Sequence, residues 1–71
     1  MTQEKEKQMV EKLREHLRIA KSWNWQFEKM LFIDGFLSAL NIATNKDYGY
    51  SGTDIYVTNK CGQRVEVNYK N

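Results

Sequence analysis

The spacing of the apolar residues changes part-way along the chain, and this change limits the possible folds more than any other feature. Up to about residue 44, apolar side chains recur every three or four positions, which is the spacing of one face of a helix. From about residue 53 they alternate with polar side chains, as in a strand with one buried side. The sequence therefore predicts an α+β protein with two helices followed by a β-hairpin (ααββ).

The first helix is predicted over residues 3–21, a segment without glycine or proline. Its apolar stripe consists of Met9, Val10, Leu13, Leu17 and Ala20. A basic strip follows the same helix and consists of Lys7, Arg14, Arg18 and Lys21. Such a strip could contact nucleic-acid phosphates, but the interleaved Glu11 and Glu15 favour a solvated face with internal ion pairs.

The second helix is predicted over residues 25–44. Ser22 and Asn24 are both candidates for its N-cap, because their side chains can accept hydrogen bonds from the first backbone N–H groups. Trp23 could then pack onto the first turn as a hydrophobic staple. One long helix that bends at residues 22–24 is the alternative.

The most hydrophobic stretch of the chain, MLFIDGFLSAL at residues 30–40, contains a carboxylate. On a helical wheel the apolar arc consists of Met30, Ile33, Phe36, Leu37, Leu40 and Ala43, with Trp25 and Phe32 at its edge. Asp34, Ser38 and Asn41 form a polar strip on another side, at positions i, i+4 and i+7. Because an isolated buried charge is costly, this strip is predicted to face water or another macromolecule.

Large apolar residues flank the polar strip, namely Phe27, Leu31 and Ile42. A polar centre with an apolar rim is typical of a contact surface, although scattered exposed apolar residues are also ordinary. Gly35 and Ala39 form a small-x-x-x-small pair that would allow another backbone to approach closely, and a gentle kink is the alternative.

Residues 45–52 are predicted to form a loop rich in tyrosine, glycine and serine. These residue types are common in adaptable binding loops, so Tyr48 and Tyr50 are candidate partner-binding residues. The alternative is that one or both rings cover the core.

The hairpin is predicted over residues 53–69. Asn59 and Gly62 suit the first and last positions of a type I turn, with Gly62 in the left-handed bulge position. The resulting register pairs Val57 with Val65, and it also pairs Ile55 with Val67. Two strands alone leave both edges unpaired, so either Tyr48–Ser51 adds a third strand or another chain pairs with the edge.

A chain of 71 residues is predicted to form one domain, residues 1–71, with a small core. Cys61 is the only cysteine, so no disulfide can form within the chain, and His16 is the only histidine. No metal site or cofactor is predicted. Because neither a disulfide nor a metal is expected to stabilise this small core, association into a homodimer is favoured as a source of stability.

A cytoplasmic location is expected, because the charged N-terminal segment lacks the apolar region of a signal peptide. The longest uninterrupted apolar run is MLFI, which is far too short to cross a membrane. The 11 basic and 9 acidic residues give a net charge of +2, which does not predict strong non-specific attraction to nucleic acid.

No catalytic set is visible, since paired carboxylates, a glycine-rich phosphate loop and a nucleophile with a base are all missing from the sequence. We therefore expect a protein that is not an enzyme. In general character the chain is similar to small accessory proteins of bacteriophages and mobile elements: one small core, many aromatic residues and a charged helix. That similarity implies binding to a host protein or protein complex and inhibition or regulation by occlusion.

The predicted partner-binding residues are Asp34, Ser38, Asn41, Leu31, Tyr48 and Tyr50. The first alternative is a nucleic-acid-binding regulator that uses the basic strip of the first helix. The second alternative is a structural subunit of a larger assembly.

Overall fold

A computed structural model describes residues 1–68 of the chain. Its elements follow in the order α1 (Gln3–Ser22), α2 (Phe27–Thr44), β1 (Asp47–Ser51), β2 (Asp54–Thr58) and β3 (Arg64–Glu66). The strands form one antiparallel sheet in the order β1-β2-β3. The predicted α+β class is confirmed, with two helices before a hairpin and a short third strand.

Helix α1 is amphipathic, and local interactions stabilise both of its ends. The hydroxyl of Thr2 caps the N-terminus by accepting a hydrogen bond from the N–H of Lys5 at 3.2 Å. Acidic residues in the first turn and Lys21 in the last turn interact favourably with the helix dipole. The buried stripe consists of Val10, Leu13, Leu17 and Ala20, as predicted, and Met9 packs half-buried beside it.

The connection between the helices corrects the predicted role of Asn24. This residue has a φ of 57°, and its N–H donates to the carbonyl of Lys21 at 3.1 Å. The N–H of Trp25 donates to the carbonyl of Ala20 at 2.7 Å. The two bonds form a Schellman motif, in which asparagine tolerates the left-handed position. Asn24 therefore ends α1 and does not begin α2.

The second helix begins at Phe27, two residues later than predicted, and its N-cap is Gln26. Ser22 is the last residue of α1, and its hydroxyl donates to the carbonyl of Ile19 at 2.7 Å. Trp23 is the C-cap of α1 with 57% of its surface exposed, so it does not act as the predicted staple. The connection between the helices is therefore determined by the C-terminal cap of α1 and not by an N-terminal cap of α2.

One side of α2 packs on the core and the other side is open. Ile33 and Leu40 are fully buried at the centre of the predicted arc, and three neighbours are half-buried against the core, namely Met30, Phe36 and Leu37. Ala43 is exposed: it lies at the edge of that arc, about as far from the centre as Met30, and its side chain is too short to reach the core. Within residues 1–68, neither helix has the combination of length and hydrophobicity that crossing a bilayer requires.

Strands β2 and β3 form the predicted hairpin with the predicted register. Val57 lies opposite Val65, and the N–H of Val67 donates to the carbonyl of Ile55 at 2.8 Å. Position 69, the predicted end of the hairpin, lies outside the described residues.

The hairpin turn also has the predicted geometry. The N–H of Gly62 donates to the carbonyl of Asn59 at 3.0 Å, and Gly62 has a φ of 83°. The side-chain Oδ1 of Asn59 accepts from the N–H groups of Cys61 and Gln63, each at 3.0 Å.

Strand β1 lies inside the segment predicted to be a loop. Tyr48 pairs with Val57 and Tyr50 pairs with Ile55, so both tyrosines lie on the core side of the sheet. Glycine and serine are poor strand formers, but pairing with β2 and burial of the two rings outweigh that preference. The free edge of β2 is therefore covered within the chain.

Candidate interaction surface

Asn41, the last member of the polar strip, connects α2 to strand β1. Its Nδ2 donates to the carbonyl of Tyr48 at 3.2 Å, and its Oδ1 accepts from the N–H of Tyr48 at 2.7 Å. Both backbone groups of Tyr48 therefore point away from β2, and the half-buried asparagine satisfies them. Asn41 thus has a definite part in the fold, whereas its predicted contact with a partner stays a prediction.

Asp34, the first member of the strip, lies beside Tyr50 of strand β1. Its carboxylate lies close enough to the Tyr50 hydroxyl to affect the titration of that group. Burial raises the pKa of Tyr50 above its ordinary value, and the negative charge of Asp34 raises it further. Asp34 itself is exposed, so the carboxylate in the apolar stretch avoids the cost of burial by remaining in water.

Tyr48 belongs to the core and not to an accessible contact surface, which corrects its predicted role. Only 4% of its surface is exposed, and its hydroxyl donates a hydrogen bond to the carboxylate of Glu6. Lys46 donates to the same carboxylate at 2.6 Å. The hydrogen bonds from Lys46 and Tyr48 hold the pKa of Glu6 below its ordinary value, although burial opposes them.

The side of α2 that points away from the core is apolar. We call it the outer face, and it consists of Phe27, Leu31, Gly35, Ser38 and Ile42. These five positions lie within about 80° of one another on the helix, and all are exposed. Phe27 is 76% exposed, Leu31 55% and Ile42 83%. The outer face and the buried arc together make α2 hydrophobic on opposite sides.

The outer face is larger and more apolar than the predicted site. Leu31 and Ser38 belong to both, whereas Phe27 and Ile42, the most exposed large residues of α2, were predicted only as the rim of the polar strip and not as partner-binding residues. Their spacing of fifteen residues, which keeps them on one side of a helix, was the available signal.

Gly35 lies in the middle of the outer face with open space above it. A Cβ atom added there would have no neighbouring atom within 4 Å beyond the helix backbone. Packing within the chain therefore does not require glycine at this position, although glycine lowers helix stability by about 1 kcal/mol relative to alanine.

The basic strip of α1 does not act as one free surface. Arg14 has only 14% of its side chain exposed, pairs with Glu11 at 2.6 Å and donates to the carbonyl of Val67. Arg18 and Lys21 are exposed, and Lys7 is half-buried. Because Arg14 connects α1 to the chain after β3, it is poorly placed to contact phosphates.

His16 lies among aromatic side chains on the α1–α2 interface. Its ring centre is 4.8 Å from that of Phe32 and 5.9 Å from that of Phe36. Lys29 Nζ lies 2.9 Å from His16 Nδ1, which must accept because an ammonium group only donates. Burial and then the charge of Lys29 lower the pKa of His16. His16 is therefore a neutral residue that packs between the two helices.

No cluster of three or more potential metal ligands occurs in residues 1–68. Cys61 is exposed in the hairpin turn. Comparisons of the chain with protein families, with curated proteins and with solved structures each return no match. The candidate site therefore rests on the geometry of α2 and its neighbours.

Proposed function

We propose that this protein is a non-enzymatic interaction module that binds another protein through the outer face of α2. The observation that carries the proposal is the exposure of Phe27 and Ile42, 76% and 83%, at the two ends of one helical face. Together with Leu31, they leave roughly 400 Å² of apolar side-chain surface in water. A contiguous apolar patch of this size is common at binding sites.

Burial of the outer face would contribute a large favourable term to binding. At about 25 cal/mol per Å², covering roughly 400 Å² contributes on the order of 10 kcal/mol before the entropic cost of association is subtracted. Phe27, Leu31 and Ile42 would be the anchors, in the manner of a helix that lies in an apolar groove.

The charges beside the outer face indicate which charges a partner should carry along the rim of its groove. Glu28 and Asp34 are exposed on its two sides, and no basic residue lies on the outer face. A partner with an apolar groove and basic residues along its rim fits this pattern best, because opposite charges steer association and fix orientation. Ser38 within the outer face and Tyr50 beside it remain proposed contact residues.

The proposed mode of action is occlusion, in which the bound module covers a working surface of a host protein complex and thereby inhibits or regulates it. This mode matches the general character shared with small accessory proteins of bacteriophages and mobile elements.

The proposal is tested by affinity capture from cells that naturally contain the chain, with bound proteins identified by mass spectrometry. Ile42→Glu places a charge on the outer face and should abolish capture of the partner. Ala43→Glu is the matched control, because it adds the same charge to an exposed position of α2 outside that face. Equal capture by both variants would refute the assignment of the surface.

A further inference from the structure

We infer that, in the absence of its target, the outer face of α2 is covered by the outer face of a second copy. The two α2 helices run antiparallel and cross at Gly35. A two-fold axis relates the two copies. This inference rests on the proposed function in one respect: the dimer occupies the same face, so the target must displace one copy to bind.

The spacing of the outer face is compatible with this symmetry. Phe27 and Ile42 lie equally far from the midpoint between residues 34 and 35, and so do Leu31 and Ser38. An antiparallel crossing at that midpoint therefore brings Phe27 of each copy to Ile42 of the other. It also brings each Leu31 to Ser38 of the other copy, so a large side chain meets a small one.

The centre of the outer face permits close contact between the helices. Gly35 has no Cβ, and a Cβ added there would meet no atom of residues 1–68 within 4 Å apart from the backbone of its own helix. A second backbone can therefore approach closely at the crossing point while the large side chains of each copy pack on either side. If Gly35 stayed exposed to water, its only effect would be to lower the stability of the helix.

The crossing brings one pair of like charges together at its edge, because the two-fold axis places Asp34 of each copy on the same side, next to Asp34 of the other. None of the five residues of the outer face is charged, so the dimer buries no unpaired ionic group. Both Asp34 carboxylates are exposed to water, which limits their repulsion. The antiparallel arrangement also places the helix dipoles in opposite directions, which is the favourable orientation.

The available area indicates a reversible dimer. Roughly 400 Å² of apolar surface per copy is half of the ~800 Å² that each partner contributes to a typical stable interface. Such a contact forms at high concentration of the chain and gives way to a larger, better matched target surface.

Sedimentation velocity of the purified chain from micromolar to millimolar concentration tests the inference. The wild type should shift from monomer to dimer, and Gly35→Gln should raise the dimer dissociation constant at least tenfold, because a long side chain then separates the helices. Ala43→Gln, at an exposed position outside the outer face, should leave dimerisation unchanged. Circular dichroism should show that both variants are folded.

Cysteine cross-linking in a Cys61→Ser background tests the antiparallel register. A mixture of Leu31→Cys and Ser38→Cys chains should form a disulfide-linked heterodimer, whereas neither variant alone should cross-link. Cross-linking of Leu31→Cys to itself would overturn the antiparallel arrangement. A wild type that stays monomeric throughout, or a Gly35→Gln variant that dimerises equally well, would overturn the dimer.

These outcomes are separate from those of the proposed function. Sedimentation uses the chain alone, so its result does not depend on any target. A monomeric wild type whose capture is lost with Ile42→Glu overturns the dimer and supports the target surface. If the wild type dimerises and the Ile42→Glu variant still captures the partner, the result supports the self-contact and overturns the proposed function.

Discussion

The side-chain amide of Asn41 makes hydrogen bonds with both the N–H and the carbonyl of Tyr48, at 2.7 Å and 3.2 Å. It occupies the place that a neighbouring strand would take along the outer edge of β1. An edge strand with unpaired backbone groups can pair with other chains, so the contact protects the sheet as well as connecting it to the helix.

We expect Asn41→Ala to lower the free energy of unfolding by about 2 kcal/mol. The variant loses two hydrogen bonds of about 1 kcal/mol each and leaves partly buried backbone groups without a partner. Urea denaturation followed by circular dichroism measures the change. Ser38→Ala, at an exposed position of the same helix, is the control and should change stability by less than about 0.5 kcal/mol.

Gly35→Ala should raise the free energy of unfolding by up to about 1 kcal/mol, since alanine favours the helix and its Cβ has room. Gly62→Ala is the matched comparison, because its Cβ also meets nothing within 4 Å but its φ is 83°. That variant should be destabilised by about 1 kcal/mol or more. Urea denaturation of both variants at low concentration, where the chain is monomeric, measures the difference. Destabilisation by Gly35→Ala would contradict the open space above the helix.

The contacts of Glu6 should make stability depend on pH in the acid range. The folded-state pKa of Glu6 lies below its ordinary value of 4.5, so its contribution is present above pH 4.5 and is lost as the pH falls through the lowered pKa. Glu6→Gln should cost roughly 1–3 kcal/mol at neutral pH and much less near pH 2. Denaturation at both pH values tests this, with the exposed Glu4→Gln as control. An equal cost at both would show that the charge of Glu6 is unimportant.

The interaction between Tyr50 and Asp34 should appear in the alkaline titration. The raised folded-state pKa of Tyr50 means that its contribution is present below its ordinary value of 10.0 and is lost as the pH rises through the raised value. Asp34→Asn should lower the pKa of Tyr50, while burial keeps it above the ordinary value. Ultraviolet absorbance of tyrosinate, compared with the same titration of Tyr50→Phe, gives the pKa. An unchanged pKa in Asp34→Asn would exclude the contact.

The parts of the fold that local chemistry determines could be predicted from the sequence. The turn from Asn59 to Gly62 and the alternation around Val57 agree on one register, and the structure has that register. The corner could not be predicted in the same way, because asparagine is favoured both at the start of a helix and in the left-handed position after one. At Asn24 the second possibility applies.

The candidate site was harder to predict, because a helical wheel gives directions and not neighbours. It placed Asp34 and Asn41 correctly on a side away from the core, but it could not show that β1 lies along that side. Glu6 was missed for a related reason: its partner Lys46 is 40 residues away in the sequence. Such a contact has no signal in local spacing.

Helix α1 is connected to segments beside both outer strands of the sheet. Near its start, Glu6 accepts hydrogen bonds from Lys46 and from Tyr48 of β1, and further along Arg14 donates to the carbonyl of Val67, just after β3. Neither outer strand can detach without breaking a contact to the same helix. Unfolding should therefore be cooperative, and the amide protons of β1 and β3 that bond across to β2 should be protected from exchange together.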